Sequence, residues 1–335
     1  MRSNLKVLAK LLFLGILLHP FFCAADQLAG PLRVLNQFPP HMMFLTPMPR
    51  APKTLSEKTI AVDMAIDYFS IFYSEASSDY RILMDMEAVV ADLRLGYGIT
   101  DNFSLGIRCP FVSMGDGFLD NFLEQYHQTF GLPNYGKEHR PYDKFDYTIK
   151  KEHNAWFDAQ KEGLNLLDPT LTAQIELLHL QQHIPITIGM IYDIKLPLGD
   201  KTSGFGSGSW DYGVFFPIQF NLSNTTNIYV MPGYIHVGTP DLQNTSVPVR
   251  DIKSFFLGGE YRFTSKTSIL VQISSYTSPY INTGIGNLDS PSVELAFGMR
   301  WSLTDQIGIE LSFSEDLTRS VPDFNLHGMV SCKFY

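Results

Sequence analysis

From Thr59 to the C-terminus the chain is written in period two. Ile184, Ile186, Ile188, Met190, Tyr192, Ile194 and Leu196 share one register, opposite Thr187, Gly189, Asp193 and Lys195. The same device recurs over Trp210 to Leu222, with Trp210, Tyr212, Val214, Phe216, Ile218, Phe220 and Leu222 on one side. It recurs again over Val293 to Leu303, where Val293, Leu295, Phe297, Met299, Trp301 and Leu303 oppose Glu294, Ala296, Gly298, Arg300 and Ser302. Successive side chains of a strand point to opposite faces, so this alternation predicts strands with one apolar and one polar face. Segments 59–73, 81–99, 102–113, 169–182, 226–238, 252–264, 266–278, 306–314 and 323–335 carry the pattern less cleanly, which brings the strands to about twelve.

The connections sort by length. Short polar turns stand at 100–102, 181–183, 223–226, 264–266 and 304–306, and longer connections at 74–80, 114–168, 197–209, 239–251, 279–290 and 315–322. Alternation of short and long connections, with strands long enough to cross a bilayer at a tilt, predicts an all-β fold: a closed antiparallel up-and-down transmembrane β-barrel of about twelve strands. A soluble sandwich also alternates but does not sort its turns by side. In the first strand Val62, Met64 and Ile66 should face out and the odd positions, Phe69 among them, should face in. Aromatics gather near strand ends, at Tyr97, Phe103, Phe220, Phe263, Trp301 and Phe334 on the turn side and at Phe72, Phe111, Trp210, Tyr212, Tyr276 and Tyr280 on the loop side. Two interfacial girdles would produce this.

Ahead of the barrel, residues 1–25 pair a basic start (Arg2, Lys6, Lys10) with an apolar run from Leu11 to Leu18 and small residues at Cys23-Ala24-Ala25, the pattern of an export signal peptide. Residues 26–58, rich in proline and without a sustained period, read as an extended periplasmic arm or plug, and 59–335 as the barrel. Composition narrows the class. Of 335 residues 45% are hydrophobic and only 18% charged, and the formal net charge of −9 argues against a nucleic-acid partner. Mean hydropathy is −0.01, and no long uncharged apolar run follows the first 25 residues, so spanning helices are excluded. Cys109 and Cys332 are too few and too far apart for a disulfide framework.

If the apolar register faces lipid, the polar one lines the lumen. It collects Asp63, Asp67, Asp92, Arg94, Arg108, Glu176, Asp193, Lys195, Asp211, Glu260, Arg262, Glu294, Arg300, Glu310, His327 and Lys333. Charges of both signs in a confined lumen should pair. Two readings follow: a network that stiffens a closed barrel, or a solute path with a mixed-charge constriction. Acids outnumber lysines and arginines in this set, so a conducting lumen should mildly prefer cations. Chemistry of other kinds finds little purchase. His179 falls on an apolar register, and no Asn-Ser-x-His segment accompanies it. His127, His139 and His153 share the long loop with Asp120, Asp143 and Asp158, which reads as solvated polar residues more readily than as a metal or acid/base site. No catalytic residue, metal ligand or cofactor motif is assigned.

Within that loop Phe118, Phe122 and Tyr126, flanked by Leu119 and Leu123, predict a short amphipathic helix that folds into the mouth or lies at the outer interface. The glycine-rich stretch from Leu196 to Asp211 reads as a hairpin loop, since no helix follows to complete a phosphate site. Leu196 to Gly199, then Gly204, Gly206, Ser207, Gly208 and Asp211, and His127 with Phe130 to Pro133, resemble stretches of a family of uncharacterised Gram-negative outer-membrane β-barrel proteins, a domain of unknown function. The last strand, ending in Phe334 and Tyr335, resembles the C-terminal strand of Gram-negative outer-membrane proteins. The resemblance implies export to the outer membrane, contact with its lipid and lipopolysaccharide, and recognition of Phe334 and Tyr335 by the barrel-assembly machinery; it supplies no solute. The function expected is a pore or gated channel for small solutes or ions, with a closed structural or ligand-binding surface barrel as the alternative and an outer-membrane hydrolase as the weaker one.

Overall fold

The computed structural model describes residues 30–335 except 132–140, 157–158, 160–162, 182–183, 243–246 and 323; the signal segment lies outside the described residues. In chain order the strands are β1 (Ile60–Ala76), β2 (Tyr80–Thr100), β3 (Phe103–Gly115), β4 (Asp146–Lys151), β5 (Asn154–Ala155), β6 (Asn165–Leu166), β7 (Thr170–Leu180), β8 (Ile186–Lys195), β9 (Asp211–Phe215), β10 (Ile218–Asn221), β11 (Thr226–His236), β12 (Ile252–Arg262), β13 (Thr267–Tyr276), β14 (Ser292–Ser302), β15 (Ile307–Asp316) and β16 (Phe324–Phe334). Each barrel strand pairs antiparallel with its neighbours, and β1 closes the ring by pairing with both β2 and β16. Strands β9 and β10 are one stave interrupted at Phe216-Pro217, since both lie between β8 and β11. The result is a closed antiparallel barrel of twelve staves.

The registers agree with the alternation. In β1, Asp63, Ala65, Asp67 and Phe69 are buried, while Val62, Met64 and Ile66 stand on the outer face. Leu257, Val271, Phe297, Leu311 and Leu326 show between 42 and 52% of their surface, which makes an apolar band around the outside. Such a contiguous band is far more apolar surface than a water-soluble protein tolerates.

Three expectations need correction. The connection expected over 74–80 is mostly strand, because β1 and β2 run on to a tight turn at residues 77–79. Tyr276 and Tyr280 are buried at 6 and 1%, facing inward instead of joining an outer girdle; Tyr276 keeps the parity of inward Gln272. His179 also faces inward. A bulge between Glu176 and Leu178 shifts the pairing, puts both Leu177 and Leu178 outside and turns His179 to Thr187, 2.9 Å away.

Above the barrel wall, β4 extends the sheet by pairing with the far end of β2. Among the described residues three short α-helices accompany the strands: α1 (Pro39–Met42) ahead of β1, then α2 (Asp120–Phe130) and α3 (Gly286–Asp289) in connections. The expected amphipathic helix is α2. Its approach lies against the outer wall and not in the mouth: outward-facing Glu87 accepts the backbone N–H groups of Phe118 (3.0 Å) and Leu119 (2.6 Å), and the rings of Phe118 and Tyr68 are 6.1 Å apart.

Candidate functional site in the lumen

The proline-rich segment is extended, but it runs inside the barrel. Residues 30–38 climb from the turn end to the loop end, α1 forms the apex, and residues 43–58 descend to the turn end again. Proline removes backbone donors and disfavours sheet pairing, so the remaining groups must find partners among wall side chains. Arg300 donates to the carbonyls of Gly30 (2.7 Å) and Pro31 (3.0 Å). Gln272 both accepts from Leu32 N–H (2.9 Å) and donates to its carbonyl (3.1 Å). At the apex Tyr280 donates to Pro40 O, and His41 Nδ1 lies 3.0 Å from the Tyr276 hydroxyl. On the way down Lys195 holds the Met43 carbonyl at 2.9 Å, Asp211 accepts Leu45 N–H at 2.8 Å, and Gln174 holds the carbonyls of Ala51 and Lys53. Lys58 N–H then pairs with Gly98 O, which leads into β1.

Two glycines on the inner face mark the hairpin's path. A Cβ at Gly189 would stand 2.7 Å from Pro52 O, and one at Gly98 would meet Ser56 O at 1.9 Å, so any side chain there would displace the descending limb.

Every expected lumen residue faces inward, and most are occupied by the hairpin or by each other. Asp63 takes Arg33 and Asp193 takes Arg50, with Arg50 Nη1 3.1 Å from Asp193 Oδ1. Asp92 is shared by Arg94 (2.8 Å) and Arg108 (2.7 Å). Glu310 binds Arg300 and Arg33 N–H, and His327 bridges it to Asp67. Glu260 accepts from Asn227 and Tyr229, and Glu294 from Ser314. Lys195 is 1% exposed and sits between Asp168 (2.8 Å), Asp211 (3.3 Å) and the Ser207 hydroxyl (2.6 Å). The glycine-rich stretch therefore wraps this cluster: Gly199 N–H and Ser207 N–H both point to Asp168. Glu176, Arg262 and Lys333 line a cavity near the turns.

The lumen has two halves. Toward the loops Phe38, Met43, Phe44 and Leu45 of the hairpin pack with Phe69, Ile82, Met84, Phe215, Trp156 and Tyr280 into one apolar core. Its burial holds His41 neutral, lowering its pKa to about 3. Toward the turns lies a cavity of about 720 Å3, lined by both limbs and the wall.

Sequence reasoning missed Arg33, Arg50, Gln272 and Asp168. One signal was present: the surplus of acids on the inward register implied cations from elsewhere, and Arg33 and Arg50 supply them. Of the loop candidates, His139 and Asp158 lie outside the described residues, as do Leu132 and Pro133; His153 is exposed, and no metal-binding cluster occurs among the described residues.

No curated protein matches the chain. Among solved structures it is similar to an outer membrane channel from Pseudomonas putida F1, at 15% identity and a TM-score of 0.58, covering 84% of this chain and 98% of that one. The NanC porin (10% identity, TM-score 0.43, 82% and 99% covered) and the KdgM porin (6%, 0.43, 82% and 99%) are more distant. The likeness to the Pseudomonas channel is one of fold: an outer-membrane type barrel. The profile of the family described as "Protein of unknown function (DUF3187)" matches residues 18–334, nearly the full length, and the chain belongs to that family.

Proposed function

We propose that the protein is an outer-membrane channel for small solutes whose own N-terminal hairpin is the gate. The apolar outer band supports residence in a bilayer, and the C-terminal strand that closes the ring on β1 ends in the Phe334-Tyr335 pair that assembly machinery would read. One observation carries the gating reading. The hairpin is seated on the wall through side chains, not through a backbone ladder, and its two limbs line a cavity near the turns without filling it. A segment held this way leaves every wall strand paired when it withdraws. The lumen charges then serve two states: they satisfy the hairpin when it is seated and line the path when it is not.

The second reading, a permanently closed barrel, draws on the dry core of the loop-side half. Planar-bilayer conductance separates the two. The full chain should conduct little, whereas deletion of residues 30–53, or Gly189→Leu to push out the descending limb, should give stable open steps. A deletion variant that folds, judged by its strand content and its resistance to unfolding in detergent, yet stays silent would decide for the closed barrel.

A further inference from the structure

The balance of charge around the turn-side cavity is opposite to that of the inward register as a whole. Among the described residues its lining, wall and hairpin together, carries eight lysines and arginines but only three carboxylates, Asp63, Glu176 and Glu310. Asp92 and Asp193 stand just behind, bound to Arg94, Arg108 and Arg50, and even with these two added the cations remain in excess among the described residues. Two of the cations keep donors to spare. Arg108 gives Nε to Asp92, and its terminal nitrogens take no hydrogen bond among the described residues. Arg262 lines the cavity and has no side-chain partner among the described residues. A guanidinium's donors lie in one plane and match two oxygens of an oxyanion, and a concave site of one sign concentrates the opposite ion. The volume falls in the range of pockets that enclose small organic ligands.

We propose that this cavity is a binding site for a small multivalent oxyanion, of the phosphate or polycarboxylate class, with Arg108 as its principal contact, beside Arg94 on the paired strand and Arg50, which reaches Thr172 on the strand at its other side. Arg33 and Arg50 come from the hairpin, so an anion held here touches gate and wall together and favours the seated state by mass action. The proposal rests on the solute-handling reading above and names the class of solute.

The test is calorimetric titration of the refolded full chain in detergent with inorganic phosphate, and separately with spermidine as the cationic counterpart. Phosphate should bind at a single site, more weakly as salt rises. Arg108→Gln leaves Asp92 with Arg94 and should weaken binding about tenfold, in line with loss of a charged hydrogen-bonding contact. Arg262→Gln removes no structural contact and lies five staves from Arg108, so it serves as the control and should leave binding within about twofold. Binding of spermidine in place of phosphate, no phosphate binding, phosphate binding that Arg108→Gln leaves unchanged, or an equal loss in Arg262→Gln would each overturn the assignment. Binding is read on the plugged chain and conductance on the deletion, so either idea can fail without the other.

Discussion

The two halves of the lumen are built by the same strands and obey different rules. Along β2 the inward positions are Ile82, Met84, Met86, Ala88 and Val90 near the loops, then Asp92 and Arg94 near the turns. Along β1 they are Tyr73, Ile71 and Phe69, then Asp67 and Asp63. The loop-side half is packed like the interior of a soluble domain, with the hairpin apex as part of that core. The turn-side half is charged and holds the cavity. The difference teaches that a barrel's inner register is not one surface: where a plug packs dry the wall turns apolar, and where its backbone needs partners the wall turns polar.

Substitutions break this comparison most strongly in the dry half. Phe38→Ala removes a fully buried ring from the apex, and Lys195→Met leaves Asp168 and Asp211 facing each other without a cation. Each should cost about 3–5 kcal/mol. Arg262→Gln, beside the turn-side cavity, should stay within about 0.5 kcal/mol. Urea titrations of the refolded variants measure all three, and equal losses in both halves would erase the distinction.

A smaller contrast separates inside from outside. Ile188→Arg, on the outer band, should cost about 2–4 kcal/mol in lipid, while a polar group at inward Ser302 should cost much less. Refolding into vesicles reads the difference, and similar penalties at the two positions would reverse the faces assigned here.

A third contrast is one of pH. His41 sits among Phe38, Tyr276, Tyr280, Ser278 and Ser292, and burial lowers its pKa to about 3 from an ordinary 6.5. Below about 6.5 the unfolded chain binds a proton that the seated hairpin refuses, so this contribution to stability falls as pH drops from 6.5 toward 3. His41→Gln should flatten that part of the curve of unfolding midpoint against pH. Identical slopes in the two proteins would show that His41 takes its proton without leaving its seat.

How much of this was legible follows from what period two encodes. Local alternation determined the strands, the outer face, the inward placement of Asp63, Asp193 and Arg300, and, through the sorting of turns, the closed ring; all are consequences of neighbours along the chain and of adjacent staves. The bulge that turns His179 inward left no mark, because one extra residue changes parity without changing composition. The proline-rich segment was legible as an arm or a plug, but its path was not. A proline-rich segment has no period, and its place is set by contacts such as Arg50 to Asp193 and Leu32 to Gln272, made between residues 143 and 240 positions apart. Alternation along the chain is enough to specify a barrel with a polar interior and a surplus of acid inside it. That Arg33 and Arg50 answer that acid, and that cations outnumber carboxylates around the remaining cavity, follows from where the hairpin lies in three dimensions, since its position sets which charges pair and which stay exposed.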